Sequence, residues 1–180
     1  GGAWILGDKA TKISDKVKLF NDQGYVFVSV NYRLSSFFST SVQYPQHVND
    51  AADAVQWIYN NISKYGGNPD NMALMGHSAG AQMVALLGTS AEFLPKRGID
   101  IEKIKGIASI DTEGYDVAGM GAENVKIYRR IFGDDPEVWK QASPIEQVVA
   151  GRSYPEFLVV ARGESYRISM AEKFIEKKRK

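Results

Sequence analysis

The chain has 180 residues, 44% of them hydrophobic and 24% charged, which is ordinary globular composition at a length that can bury a sizeable core. A formal net charge of +1 provides no global field for nucleic acid or an anionic membrane, and no apolar run approaches the roughly 20 residues of a membrane span. The absence of cysteine excludes disulfides and thiolate metal sites, and no cluster of His, Asp and Glu has metal-ligand spacing, so no metal site is expected.

In chain order, Gly1-Gly2-Ala3-Trp4 opens as a Gly-Gly loop. The stretch ISDKVKLFNDQG then sets Ile13, Val17 and Phe20 at helical spacing and stops at Gly24. YVFVSVNY, residues 25–32, is aromatic and β-branched and reads as a buried strand. Residues 33–45 form a loop whose Phe37, Phe38 and Tyr44 either line a pocket or pack within the loop, and Trp4 has the same two readings. Val48, Ala51, Ala52, Val55, Ile58, Tyr59 and Ile62 share one face of a long helix that ends at Gly66-Gly67. NMALMG is a short strand, AGAQMVALLG a helix, and IKGIASI (104–110) a second strand ending at Asp111.

Residues 112–150 read as an irregular insertion of two or three short helices, with Gly119-Met120-Gly121 in a loop. Asp135-Pro136 has the form of an N-cap with a first-turn proline, and Ser143-Pro144-Ile145-Glu146 that of a capping box. EFLVVA (156–161) is a further buried strand, and a capping box at Ser169 opens a final helix with Met170 and Phe174 facing the core. The basic end of that helix, Lys177 to Lys180, complements the macrodipole as a solvated terminus. Strands alternating with helices imply a parallel sheet covered on both faces, with at least four strands, near Tyr25, Met72, Ile104 and Phe157. No repeat or linker divides the chain, so residues 1–180 are expected to form one α/β domain.

The chemistry sits in Gly76-His77-Ser78-Ala79-Gly80. Gly-x-Ser-x-Gly between a strand and a helix is the nucleophile elbow, a turn that lifts the serine hydroxyl above the sheet. Gly76 and Gly80 leave room where a Cβ would collide, and the N-terminus of the following helix faces the developing oxyanion, with the Ala79 N–H as one donor. His77 points away from the serine in such a turn and is read as a packing or hydrogen-bonding residue.

GGAW, VFVSVNYRL, YPQHVNDAADAVQWI, KYGGNPDNMALMGHSAGA and ASPIEQV occur in an order that resembles an α/β-hydrolase of the esterase/lipase group related to hormone-sensitive lipase, closest to its kynurenine formamidase-like and feruloyl-esterase-like branch. The resemblance covers nearly the whole chain and implies a three-layer αβα sandwich with a mostly parallel sheet. It implies that the Gly2 and Ala3 N–H groups complete the oxyanion hole with Ala79, and that Ser78 cleaves esters, sometimes formamides or amides, without a cofactor. It also implies a catalytic His on a loop beyond the final helix, where this sequence holds none. The chain is therefore expected to lack segments at both ends, the terminal strands and the catalytic His among them.

His47 is the only other histidine, and its plain reading is a solvent-exposed or capping residue, with replacement base as the alternative. The acid is open between Asp111, at the end of IKGIASI, and Glu164, near a position where relatives carry Gly-x-x-Asp and this chain reads Gly163-Glu164-Ser165-Tyr166. Asp111 ranks first, Glu164 second and Asp116 third. The expected function is hydrolysis of small acyl or aryl esters, with an arylformamidase of the same fold as runner-up. A non-catalytic, hydrolase-like binding protein is the alternative of another class. A sheet deprived of edge strands also invites a homodimer through its exposed edge. The sequence is compatible with a cytoplasmic and with a secreted or periplasmic location.

Overall fold

The computed structural model describes residues 2–179. Its centre is a parallel sheet of β1 (Met72–His77), β2 (Ile104–Ile110) and β3 (Glu156–Val160), in the order β1-β2-β3. Leu74 stands opposite Ile107, which stands opposite Phe157, so one face is a continuous apolar layer. Helix α3 (Ala79–Thr89) lies on that face with ten of its eleven residues buried. A helix apolar all round needs cover on every side, and α3 has the sheet below it and α2 (Gln46–Asn61) beside it. Gly88 lets it settle onto the sheet, since a Cβ there would come within 2.8 Å of the Ile107 side chain. Fully buried side chains such as Leu86 and Ile107 each contribute about 1.5–3 kcal/mol.

A short 3₁₀ turn at Gly2–Trp4 and helix α1 (Ser14–Asp22) precede this unit. After β2 come α4 (Val117–Ala122), α5 (Lys126–Phe132) and α6 (Pro136–Ala142), which close over the start of α3. Trp4 joins them, buried edge-on against Tyr128 at 5.6 Å and Phe132 at 5.2 Å. Its role is packing, at about 0.5–1.5 kcal/mol per aromatic pair beyond area. Helix α7 (Ser165–Lys178) docks through Phe174, stacked on Tyr115 at 4.7 Å and edge-on to Phe157 at 5.3 Å. Asp135 caps α6 through the Glu137 N–H, as its sequence indicates.

Other expectations are corrected. Residues 25–32 form no strand. A strand exists only with a neighbour that takes up its N–H and C=O groups, and no described residue pairs with this run in a ladder. Tyr25, Val26, Val28 and Val30 are exposed. The run is held by side chains: the Ser29 hydroxyl donates to Lys9 C=O at 2.8 Å, and the Asn31 amide to Asp8 at 3.0 Å. Likewise the described sheet has three strands, and the face opposite α3 is open, with Met75 at 42%, Leu158 at 62% and Val160 at 41% exposure.

Ser143 does not form a capping box. Its hydroxyl donates to Trp139 C=O and accepts from the Ala118 N–H, joining α6 to α4. Ser169 lies inside α7, which starts a turn earlier at Ser165 after Gly163 turns the chain at φ 80°. Gly119-Met120-Gly121 belongs to α4, and Gly121 is where the Trp139 ring comes so close that a Cβ would sit 2.5 Å from it.

Candidate active site

Ser78 directly follows β1 at φ 55° and ψ −120°. Side chains rarely adopt this conformation, and holding one there costs about 1–3 kcal/mol. The surroundings impose it. The Ser78 N–H donates to Ile110 C=O on the neighbouring strand at 2.9 Å, and the Ser78 C=O already accepts from the Ala81 N–H inside α3. Gly76 makes the turn feasible, because a Cβ there would lie 2.1 Å from the Gly80 carbonyl oxygen. The Ala79 N–H opens α3 and donates to no other described residue. It stands at the positive end of a helix whose peptide dipoles favour negative charge.

The turn at Gly2–Trp4 packs through Trp4 against the start of α3. Gly2, Ala3 and Trp4 all have positive φ, at 57°, 50° and 62°. A Cβ on Gly2 would fall 2.7 Å from Leu6 Cβ. The turn is fastened by the Ile5 and Leu6 N–H groups bonding to Gly2 C=O and by the burial of Trp4 against Ala79 and Met83 of α3. The Gly2 and Ala3 N–H groups donate to no other described residue.

Asp111 directly follows β2, as Ser78 follows β1, so the two emerge side by side at the C-terminal edge of the sheet. Asp111 has φ 58°, which short polar side chains tolerate better than others. Its N–H bonds to Val160 C=O at 2.6 Å. The carboxylate is 8% exposed and meets Arg162 Nε at 3.1 Å, Arg167 Nη1 at 3.4 Å and His77 Nε2 at 3.9 Å. Oδ1, the atom nearest Arg167, makes no hydrogen bond to a described residue, so that contact is Coulombic. Burial acts to raise the Asp111 carboxyl, but the Arg162 hydrogen bond and the charges of Arg167 and Arg162 outweigh it and hold it below the ordinary carboxylate range.

Glu164 sits at the N-cap of α7, exposed, and with Asp111, Arg162 and Arg167 lines a shallow depression of about 380 Å³. Asp116 caps α4, accepting from the Gly119 N–H at 2.8 Å. His77 is largely exposed on the open face of the sheet, beside Asp111.

His47 is neither exposed nor a cap. It is 2% exposed, its Nε2 lies 2.8 Å from Ser35 Oγ, and it is edge-on to Tyr32. The Ser35 hydroxyl donates to Val42 C=O, so it accepts from an Nε2–H of His47. Burial lowers this imidazole to about 4, against a smaller upward pull from Asp50 and a further lowering by Arg33. It is a neutral residue fixing the 33–45 loop. Arg33 holds the same loop to α2 through paired bonds to Asp50 at 2.6–3.1 Å. Phe37 and Phe38 stand out from that loop at 64% and 100% exposure, so neither packs within it.

Sequence reasoning missed Arg162, Arg167 and Glu113. Arg167 Nη2 meets Glu113 at 3.0 Å while Nη1 faces Asp111. Glu113 also lies against the Tyr128 hydroxyl, whose ionisation is pushed well up by burial first and then by Glu113. No local motif marks these residues, because only the topology brings them together.

The BD-FAE family model matches residues 1–169. Esterase LipC of Mycobacterium tuberculosis is 29% identical over 194 residues, covering 99% of this chain and 46% of its own length. Para-nitrobenzyl esterase of Bacillus subtilis is 36% identical over 94 residues, 48% of this chain and 19% of that protein. Among solved structures, esterase Est2 of Thermogutta terrifontis superposes with a TM-score of 0.78 at 20% identity, covering 99% of this chain and 64% of its own. Carboxyl esterase 2 of Tuber melanosporum gives 0.77 at 22%, covering 99% and 62%. The fold is that of the α/β-hydrolases. The chain spans less than half the length of these two curated relatives and under two thirds of these two structures.

Proposed function

The chain belongs to the BD-FAE family, and on that premise we propose that it carries the nucleophile and oxyanion hole of a serine hydrolase that cleaves small acyl or aryl carboxylic esters. The observation that carries this reading is the Ser78 conformation, φ 55° and ψ −120°, held between a strand end and a helix start. Ser78 Oγ attacks the ester carbonyl carbon, its proton passes to a histidine base, and the alkoxide or phenoxide leaves with that proton. The N–H groups of Gly2, Ala3 and Ala79 bind the oxyanion; one such donor contributes about 10²–10³ in rate. Asp111 orients the imidazole and supports its positive charge. Water then reverses the sequence on the acyl-enzyme. The base in this reading is a histidine other than His47, which is buried against Ser35, and His77, which lies on the open face. A formamide would use the same groups.

The reading treats residues 1–180 as one unit of the hydrolase domain, with residues 112–150 as its helical insertion. The unpaired edge of β1 and the open apolar face beside it suit a second copy of the chain. Sedimentation reads this directly, and a clean monomer counts against it. A non-catalytic binding role is the second reading, favoured by the engagement of Asp111 with two arginines. Hydrolysis of p-nitrophenyl acetate by the protein including any residues beyond Lys180 separates the two. Turnover that disappears in Ser78→Ala supports the esterase, and no turnover supports the binding role.

A further inference from the structure

We propose that Arg167 is a positioning residue for the acid of the site: from the first turn of α7 it bridges Asp111 and Glu113 and fixes the Asp111 carboxylate at the C-terminal edge of the sheet. The inference rests on the reading of Asp111 as the acid. Its geometric basis is the fork itself. One guanidinium nitrogen lies 3.0 Å from Glu113 and another 3.4 Å from Asp111, on a side chain 28% exposed. Tyr128, which packs edge-on to Trp4, lies near Glu113.

Arg162 competes for the same role and is nearer, with a hydrogen bond at 3.1 Å. Its side chain is 78% exposed, however, and comes from the loop after β3. An ion pair on a solvated side chain is screened and costs side-chain entropy, so it is worth little. Arg167 projects from a helix, is shielded, and has a second carboxylate to hold its fork in place, so the larger share of the orientation falls to it. The other ionisable groups facing Asp111 are His77 from β1, Glu164 and Tyr166 around the depression, and Tyr115 beneath it. Of these only His77 can add positive charge, and it is 3.9 Å away and largely exposed.

The test compares Arg167→Gln, Arg167→Lys and Arg162→Gln in the full chain by two measurements. The first is the carboxyl-carbon NMR titration of Asp111. The second is the pH profile of Ser78 labelling by a fluorophosphonate. Arg167→Gln is expected to raise the Asp111 midpoint, to move the acid limb of the labelling profile upward, and to slow labelling about tenfold. Arg167→Lys, which keeps the charge and loses the fork, restores the midpoint but not the labelling rate. Arg162→Gln, which removes the closer hydrogen bond, also raises the Asp111 midpoint but slows labelling less than Arg167→Gln does. The inference is overturned if Arg167→Gln leaves both unchanged, or if Arg162→Gln slows labelling more than Arg167→Gln does. Should Arg167→Gln not fold, the Lys variant decides: full wild-type labelling in it overturns the fork's role. A wild-type protein that takes no label at Ser78 defeats the esterase reading instead, while the Asp111 titration still judges the arginines.

Discussion

Two runs of this chain look alike in sequence and differ in structure. IKGIASI becomes β2, paired on both sides and sealed under α3, with Ile104 and Ile107 each 1% exposed. YVFVSVNY is at least as rich in β-formers, yet it forms no ladder and exposes three valines by more than 40%. The helix before it, α1, buries none of its residues, although Val17 and Phe20 share a face. Apolar pattern states what a segment can bury; whether it does so depends on a partner being present. In the described residues that partner exists for β2 and not for residues 25–32.

The contrast can be broken by mutation. Ile107→Ala removes a side chain from the layer between sheet and α3 and should cost about 2–5 kcal/mol in denaturant unfolding. Gly76→Ala should cost about 3 kcal/mol, because its Cβ meets backbone at Gly80, which cannot swing aside. Destabilisation by either under about 1 kcal/mol would mean that the sheet and elbow are less tightly packed than described.

His47 gives an effect of comparable size through pH. Its imidazole titrates near 6.5 when unfolded and about 4 when folded, so the unfolded chain takes up the proton first. The stability it confers is complete above 6.5 and is lost as pH falls from there toward 4, by about 3 kcal/mol. His47→Gln keeps an N–H for Ser35 and should flatten that slope; an unchanged slope would remove His47 as its source.

The smaller effects lie on the other side of the comparison. Val28→Ala should change stability by less than about 0.5 kcal/mol, and amides 26–30 should exchange with solvent well before those of β2. Protection of 26–30 equal to that of β2 would show that the run is paired in solution. Least of all, Lys18→Ala breaks an exposed pair with Asp22 within α1 and should cost no more than about 0.5 kcal/mol.

The same contrast explains what the sequence made legible. Elements whose signal is local were read correctly: the strand–turn–helix around Ser78, the amphipathic α2, the all-apolar α3, and β2 with its continuous run; β3 was read as a strand, but its expected burial fails, since Leu158 and Val160 face the open side of the sheet. Asp135-Pro136 was readable because cap and helix are adjacent. Ser143 was misread because its hydroxyl is taken by Trp139 and Ala118, partners that only the tertiary fold supplies. His47 was misread for a related reason, since its burial depends on a loop folding back through Ser35. The arginines around Asp111 were invisible because they come from one loop and one helix more than fifty residues away. Their pairing with the end of β2 is a consequence of strand order, which no spacing in the sequence encodes.

The central claim is that the strained serine between β1 and α3 is a nucleophile. Fluorophosphonate treatment followed by peptide mass spectrometry tests it directly. The account predicts one covalent adduct, on Ser78, that disappears in Ser78→Ala and in denatured protein. Absence of any adduct from the folded protein that includes any residues beyond Lys180, or an adduct on another residue that persists in Ser78→Ala, would contradict it.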